Sequence, residues 1–466
     1  MLRVTEAYRH LLLVAALTVG MMSVHLSAVF INVALPSMMH EIDAPLENGY
    51  WLVTSYIVLS TLFMLLANSF LHRFGERNTF LGAQAIFIVT SLFASFLHDF
   101  ELILVCRLIQ GSTTGVLTVL VLSALFKRYP ISKRGKAGAI YGLVSAVAPT
   151  MGPTLAGFLV EYWGWRAIFW VPMLVSMLAF IVAWAVLEKH TEDKIAPQPV
   201  AINSGSFLLM TVIVIWLVGA GKIASWFGIE MTALLYVTIA AGLIVAMVKW
   251  ERRSANAMFH FYLFRRNRYA MAAIVAFIYG LGLWGAAYIL PLFLQSGLGY
   301  SAESTGWILL PSGLILYAML PIGGKLTDLS SGGLALLLGL CALAISFSLL
   351  GFEFAIQHSL LLAAVIALGR GFGMGVMIPS MDAVATKLLP EKDLANGLAL
   401  VNFLRQLGGA LGPGVVVLLM TFPVELSTSD TSGHWTARQF QFALSGIGIL
   451  FFVSLFPAWF CRQTPK

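Results

Sequence analysis

The sequence predicts an all-α integral membrane protein built from two six-helix bundles with a further pair of helices between them. Three observations lead to this fold class. The 466 residues are 59% hydrophobic and only 11% charged, whereas about a quarter of the residues in soluble domains are charged. Fourteen apolar runs follow one another with short connections. Proline and arginine positions also recur in the two halves. A secreted enzyme, a soluble dehydrogenase and a DNA-binding module are therefore excluded.

The apolar runs can be placed along the chain in order. A membrane-spanning helix needs about 20 mostly apolar residues. The runs cover residues 11–35, 50–70, 79–97, 102–126, 137–160, 167–187, 207–220, 231–248, 269–292, 307–322, 334–352, 360–385, 398–420 and 440–460. The first run is long and is followed by no persuasive cleavage site, so we expect a retained span and not a signal peptide.

Their grouping predicts three regions. Residues 1–190 form an N-terminal six-helix bundle, residues 191–262 a linker with a central helix pair, and residues 263–466 a C-terminal six-helix bundle. An internal repeat supports this division, because Pro130 and Pro153 are separated by 23 residues, as are Pro390 and Pro413. Repeated bundles are a common architecture of membrane transporters.

The distribution of lysine and arginine predicts the orientation in the membrane. With the N-terminus in the cytoplasm, 22 of the 28 basic residues lie inside, and only Arg166, Lys222 and Arg438 lie outside. Cytoplasmic loops of membrane proteins are enriched in these residues. Both termini are therefore expected in the cytoplasm, and the net charge of +7 requires no nucleic-acid partner.

Four charged residues fall inside the predicted spans and are the first candidates for a functional site. They are Arg107, Arg370, Arg405 and Asp382. An ionisable side chain in a spanning helix is costly and usually faces an interior cavity or a partner. Gln110 lies three residues after Arg107, on nearly the same helical face. The alternative for Arg107 is a structural role satisfied by backbone carbonyls, and Asp382 could instead be a solvated helix end.

The balance of these charges bears on the cargo. Three arginines face one carboxylate, and if all of them line one cavity, their attraction favours an anionic or zwitterionic molecule over a lipophilic cation.

A second set of residues suggests flexibility or close packing in the fifth run. Gly152, Pro153 and Gly157 remove side-chain bulk and one backbone hydrogen bond from the helix. A bending seam of this kind is suited to a gate, and a tightly packed, immobile helix pair is the alternative.

The sequence shows no site for a metal or a nucleotide. Cys106, Cys341 and Cys461 are far apart and belong to no metal-binding or disulfide pattern. The glycine-rich segment 369–375 follows no predicted strand, so helix packing explains it better than nucleotide binding.

Five motifs together resemble the major facilitator superfamily, and within it the 14-helix drug/proton antiporters. They are NVALP at 32–36, RLIQG at 107–111, APTMGPTLAG at 148–157, GKLTD at 324–328 and RQLGG at 405–409. The resemblance covers nearly the whole chain. It implies the major facilitator fold with fourteen transmembrane helices, and export of a small molecule in exchange for inward-moving protons, with the proton gradient as energy source and no cofactor.

The resemblance also implies roles for loop residues. Gly324 and Asp328 match the loop motif of the second half, where Asp328 could form an ion pair that holds the cytoplasmic side shut; a solvated loop carboxylate is the alternative. In the first half Arg73 and Gly75 of this motif remain, but His72 occupies the position of the expected acidic residue.

The first span departs from the family pattern as well. Ser27 occupies the position where an acidic residue is often found in the family's first helix. His25, two residues earlier, can titrate near neutral pH and is a candidate proton site, although a lone histidine in an apolar helix is more often a packing residue.

These features predict a proton-coupled exporter, not an enzyme, in the inner membrane of a bacterium. Its partners are a small-molecule cargo, protons and the lipid bilayer, with no nucleic acid. Relatives in double-membrane bacteria often work with a periplasmic adaptor, although the short outer loops reveal none. A proton-coupled uptake symporter of the same superfamily is the main alternative, and a membrane-embedded enzyme or receptor is a more distant one.

Overall fold

The chain forms a bundle of long helices, seen here in a computed structural model. The structure describes residues 6–129, 134–187, 204–218, 229–253, 261–329, 333–352, 359–387, 389, 394–421 and 436–461, and this part of the chain contains no β-strand. The helices are α1 (Glu6–Glu41), α2 (Tyr50–Ala94), α3 (Phe100–Arg128), α4 (Arg134–Trp163), α5 (Ala167–Val186), α6 (Ser204–Val218), α7 (Ile229–Arg253), α8 (Asn267–Leu292), α9 (Ala302–Leu329), α10 (Gly333–Leu349), α11 (Ser359–Ile366), α12 (Met374–Lys387), α13 (Leu394–Thr421) and α14 (Ala437–Cys461).

Two of these elements differ from simple rods. Between α11 and α12 the segment Ala367–Gly373 is a π-helix, so the predicted run 360–385 is one helix with a wider turn at its centre. In α2, Gly75 has a φ of 75° and a ψ of 168°, which is not helical. The hydroxyl of Thr79 donates to the carbonyl of Phe70 over 3.1 Å. These residues would be about 13 Å apart in a continuous helix, so the chain reverses at Gly75.

The helix α2 therefore consists of two arms, residues 50–74 and 76–94, that correspond to two of the predicted spans. Glycine is suited to the turn because it adopts positive φ without steric cost.

Residues up to 202 form one compact unit, and residues from 203 onward form another. In the first unit α1 packs against α4 and α5, and α2 packs along α3 and α5. Its core contains apolar side chains from α1, the second arm of α2, α3 and α5, such as Leu17, Phe80, Leu120 and Ala183. In the second unit α8 packs against α13 and α14, α9 against α12, and α6 against α7. The predicted division into three regions remains a prediction.

Glycines allow the closest helix contacts in each unit. In the first unit a Cβ at Gly111 or Gly115 of α3 would overlap the backbone carbonyl of Tyr56 or Ser60. In the second unit Gly408 and Gly412 of α13 approach the backbone of α8 in the same way. Small residues four apart are typical of helix contacts inside membranes, where close van der Waals packing replaces the hydrophobic effect.

Ion pairs connect the helix ends of the first unit. Arg128, at the end of α3, pairs with Glu76 beside the turn of α2. At the opposite end Glu41 of α1 pairs with Arg166 and accepts a hydrogen bond of 2.6 Å from the indole of Trp165. These contacts are partly exposed, so each is expected to contribute little to stability, but they fix how the connecting turns meet.

Within the described residues, nine helices are long and apolar enough to cross a membrane, and α10 is a shorter apolar helix. The chain is thus a multi-pass membrane protein, while the total of fourteen spans remains a prediction.

The close contact at Gly111 leads to a stability prediction. In Gly111→Ala the new methyl group overlaps the Tyr56 carbonyl, and overpacking of this kind costs about 1–3 kcal/mol. We expect the melting temperature of the purified protein to fall by several degrees. Gly242→Ala is the matched control, because a Cβ at this position of α7 meets no atom within 4 Å. An equal melting temperature for both variants would contradict the proposed tight contact.

Candidate functional site

Arg107 is a buried cation deep within α3. The helix begins after Asp99, whose carboxylate accepts a hydrogen bond of 3.0 Å from the backbone N–H of Leu102 and so caps the first turn. Arg107 follows Asp99 by eight residues, or about 12 Å along the axis. Its side chain is only 1% exposed. The sequence therefore carries a permanent charge into the apolar interior of the first unit.

Neutral oxygens from three helical segments hold this guanidinium. Nε donates to the carbonyl of Leu52 over 3.2 Å. Nη1 donates to the hydroxyl of Ser27 over 3.1 Å and to the side-chain carbonyl of Gln110 over 3.0 Å. The interpretation of Arg107 as a purely backbone-satisfied residue is therefore incomplete, because side chains contribute at least two of its hydrogen bonds.

An aromatic ring lies on one face of the same guanidinium. The guanidinium carbon is 4.1 Å from the centre of the Tyr56 ring, a distance at which a cation is attracted to the electron-rich face of an aromatic ring. The Tyr56 hydroxyl donates to the carbonyl of Val24 over 2.6 Å and lies 2.6 Å from the hydroxyl of Thr114. Tyr56 therefore orients the arginine and connects α1, α2 and α3.

Gln110 extends the network to the second arm of α2. Its amide nitrogen donates to the hydroxyl of Ser91 over 3.0 Å, while its carbonyl accepts from Arg107. The two contacts determine the orientation of the amide, since arginine can only donate. The predicted i, i+3 pair thus forms a direct hydrogen bond.

The charge of Arg107 has no counter-charge within the described part of the chain. All its hydrogen bonds go to neutral groups, and its second terminal nitrogen, Nη2, is buried without a hydrogen-bond partner there. The neutral hydroxyl of Ser27 lies 3.1 Å from Nη1, at a position from which a carboxylate would pair with the guanidinium. A buried cation without a counter-charge is costly, and an anion placed beside it would lower that cost.

Other polar groups in the first unit also lack hydrogen-bond partners among the described residues. Asn32 of α1 is 1% exposed, and neither the oxygen nor the nitrogen of its side-chain amide has a partner among the described residues. The same holds for the buried hydroxyls of Thr54 and Ser55 on α2 and Thr150 on α4. Sequence reasoning missed these hydroxyls and Tyr56; a polar residue within an apolar run was the only signal for them.

His25 is located on α1, near Ser27. Its ring nitrogen Nδ1 lies 2.8 Å from the carbonyl of Met21, so Nδ1 carries the proton and donates, because a carbonyl can only accept. The half-buried ring is thus bound to its own helix, and Nε2 is the nitrogen left for a further proton.

The second-unit candidates lie on different helices. Arg370 is 4% exposed and belongs to the π-helical segment between α11 and α12. Arg405 on α13 is partly buried and donates to the side chain of Asn402. Asp382 is in α12 and Asp328 in α9, but both side chains lie outside the described residues. The proposed roles of these two carboxylates remain predictions.

The gating candidates have different surroundings. Gly152 of α4 is pressed against α1, since a Cβ there would lie 2.9 Å from Cγ1 of Val29. Pro153 and Gly157 are buried within the same helix, which continues without a break through Pro149 and Pro153. Gly75 forms the turn of α2 beside the exposed Arg73, whereas a Cβ at Gly324 meets no atom within 4 Å. The two copies of the loop motif therefore differ in how strictly they require glycine.

Known proteins provide an independent comparison with this geometry. The family model of the Major Facilitator Superfamily matches residues 17–413. The multidrug export protein EmrB of Haemophilus influenzae is 26% identical over 412 residues, which cover 88% of this chain and 80% of that protein. The multidrug resistance protein Stp of Mycobacterium tuberculosis is 25% identical over 411 residues, 87% of this chain and 75% of that protein.

A solved structure supports the fold in the same way. The crystal structure of a D-xylose–proton symporter superposes with a TM-score of 0.66 and covers 96% of this chain and 97% of its own, at 14% sequence identity. At such low identity the likeness concerns the fold alone, and it confirms the predicted fold class.

The contacts of Tyr56 generate a prediction. Tyr56→Phe keeps the ring below Arg107 but removes the hydroxyl that donates to Val24, a loss worth about 1 kcal/mol. We expect a fall of a few degrees in melting temperature. Tyr56→Leu also removes the cation–ring contact and should melt lower still. If the two variants melt at the same temperature, the ring contributes nothing to holding Arg107.

Proposed function

The chain belongs to the major facilitator superfamily, and from this premise we propose that it is a proton-coupled exporter of small organic molecules that carry a negative charge. Members of the family are transporters of small-molecule substrates, and relatives of this chain bear the name multidrug export protein. We therefore place it among secondary active transporters and not among enzymes.

The observation that carries the proposal is the charge of Arg107, which no charged group in the described part of the chain compensates. Its guanidinium is buried, makes hydrogen bonds only to neutral groups and keeps Nη2 without a partner among the described residues. In a low-dielectric environment a charge acts over a longer distance than in water. An anionic or zwitterionic cargo would be stabilised by this field, and a lipophilic cation would be repelled.

The neighbouring polar groups support a polar cargo. The amide of Asn32 and the hydroxyls of Thr54 and Thr150 are buried without partners in the described part of the chain. Buried polar groups that lack hydrogen bonds are costly. A cargo with several hydrogen-bonding groups could satisfy them as it binds, whereas a purely apolar compound could not.

The transport cycle follows from these charges. In the outward-facing state a proton binds to a buried carboxylate, for which Asp382 is the candidate, or to a group whose proton affinity Arg107 controls, with His25 as a second candidate. Protonation weakens the binding of cargo, and the protonated carrier returns inward and exchanges its proton for new cargo. The energy source is the proton gradient, so no cofactor is required.

The proposed setting is the inner membrane of a bacterium, with both termini in the cytoplasm. The excess of lysine and arginine in the predicted cytoplasmic loops supports this orientation. A periplasmic adaptor protein is compatible with export from that membrane.

Transport by inverted membrane vesicles tests the proposal. With an imposed proton gradient, wild-type vesicles should accumulate organic anions and not lipophilic cations. We expect Arg107→Gln to lower anion uptake at least about tenfold, which corresponds to about 1.4 kcal/mol of lost interaction, and Asp382→Asn to abolish the dependence on the gradient. Arg252→Gln is the matched control, because it removes one exposed arginine at the end of α7.

Two outcomes would contradict the proposal. Accumulation of the compound by whole cells, driven by the proton gradient, would indicate an uptake symporter. Uptake of cations that Arg107→Gln leaves unchanged would show that the buried charge does not select the cargo.

A second prediction concerns Ser27, whose hydroxyl is 3.1 Å from Nη1 of Arg107. Ser27→Asp places a carboxylate beside the guanidinium and neutralises it. The ratio of anion to cation transport should fall about tenfold. Ser27→Asn, which has the same shape without the charge, should leave this ratio near that of the wild type. Equal ratios for the two variants would refute the charge argument.

A further inference from the structure

A groove in the first unit lies outside the site around Arg107. It has a volume of about 230 Å³ and is enclosed by both arms of α2 and by α3; we refer to it as the hairpin groove. Its walls include Phe63, Phe70 and Phe74 of the first arm, Gly82 and Ile86 of the second arm and Val116 of α3.

The inner surface of the hairpin groove is apolar because its hydroxyl groups donate to backbone carbonyls of the surrounding helices. The hydroxyl of Thr79 donates to the carbonyl of Phe70 over 3.1 Å. Those of Ser112 and Thr113 donate over 2.7 Å to the carbonyls of Ile109 and Gln110. Three hydroxyls that could have contacted a polar ligand are thus directed into the helices, and hydrocarbon surface remains.

The hairpin groove opens onto a surface that is suited to lipid. On the second arm of α2, Ile86, Val89 and Phe93 are 48%, 49% and 60% exposed. On α3 the exposed residues Leu102 and Val105, spaced like one helical face, lead toward the groove. Large apolar side chains exposed on a membrane-spanning helix face hydrocarbon, so the groove is reached from the membrane.

The depth of the hairpin groove matches one leaflet of a bilayer. The turn at Gly75 is flanked by polar residues, and Gly82 and Phe63 are about 10 and 18 Å from it along their helices. Half of the hydrocarbon core of a bilayer is about 15 Å thick. A fatty acyl chain whose headgroup lies at the turn would extend along the groove for most of this distance.

The mouth of the groove carries a positive charge that no carboxylate of the described residues pairs with. The guanidinium carbon of Arg73 is 5.5 Å from the centre of the Phe74 ring, which lines the groove. Asn78 lines the groove, and both Arg73 and Asn78 are exposed and make no hydrogen bond or ion pair with the described residues. Glu76, the nearest carboxylate in sequence, is paired with Arg128. The mouth is thus complementary to a phosphate group.

We propose that the hairpin groove binds one acyl chain of an anionic membrane phospholipid, whose phosphate is held by Arg73 and Asn78. The apolar walls bind the chain, and the charge at the mouth selects an anionic headgroup over a neutral one. This site is independent of the cargo and of the Arg107 network.

Gly82 provides a direct test. It lines the groove, and a Cβ at this position meets no atom within 4 Å. A leucine at this position therefore displaces no neighbour with its Cβ and would extend its side chain into the groove, and leucine is a better helix former than glycine. Gly242→Leu is the matched control, because this glycine of α7 is also exposed and a Cβ there would likewise meet no atom within 4 Å.

The experiment measures phospholipid binding to the purified full chain by native mass spectrometry, with phosphatidylglycerol and phosphatidylcholine of identical acyl chains. We expect Gly82→Leu to weaken phosphatidylglycerol binding at least about tenfold, because several methylene groups lose their site. Arg73→Gln should reduce the preference for phosphatidylglycerol about fivefold, the effect of one basic residue near an anionic lipid. Gly242→Leu should bind like the wild type. Melting temperatures without added lipid identify any variant that fails to fold.

Three results would overturn the proposal. In the first, Gly82→Leu binds phosphatidylglycerol as tightly as Gly242→Leu does. In the second, the wild type shows no preference between the two lipids. In the third, Gly82→Leu lowers the binding of a transported compound while lipid binding is unchanged, which would make the groove a cargo site. Since lipid binding is measured without transport, the outcome is independent of the proposed export function.

Discussion

The buried guanidinium of Arg107 is the interaction on which the arrangement of the first unit depends. A permanent charge in an apolar interior must be surrounded by hydrogen-bond acceptors, because otherwise its desolvation would destabilise the folded state strongly. The acceptors come from α1, α2 and α3, through Ser27, Leu52 and Gln110. The three helices must therefore be placed and rotated so that all three acceptors face the guanidinium. The arginine is thus a structural constraint as well as a candidate functional charge.

Close approach of backbones makes this meeting possible. Gly111 and Gly115 of α3 contact the backbone of α2 directly, one turn after Arg107 and one turn further on. A larger side chain there would separate the helices and move Tyr56 away from the guanidinium. Packing and polarity are thus coupled, because the glycines set the distance over which the arginine finds its partners.

Each unit contains a buried arginine near closely packed glycines, but the local helix geometry differs. In the first, Arg107 lies in a regular α-helix and its neighbours are fixed by hydrogen bonds. In the second, Arg370 lies in a π-helical segment whose glycines Gly371 and Gly373 pack against α9 and α10. A π-turn leaves backbone groups out of the regular ladder and is frequent at functional sites. The repeat visible in the sequence therefore does not imply equal local geometry.

The sequence by itself determined the class of the protein, because composition, the length of apolar runs and the placement of charges decide, segment by segment, whether a helix fits the bilayer. It also identified Arg107 and Gln110 as a pair, since residues three apart on a helix are neighbours whatever the tertiary fold. The contact of Tyr56 with Arg107 and the surroundings of Thr150 were decided only in the tertiary structure, whereas the break between the two arms of α2 was already expected between the runs 50–70 and 79–97. Whether a tyrosine contacts a cation, or a hydroxyl lacks a partner, depends on side chains far apart in the chain, and helical periodicity carries no information about them. The hairpin groove arises in the same way, from three segments whose separate sequences show only apolar faces.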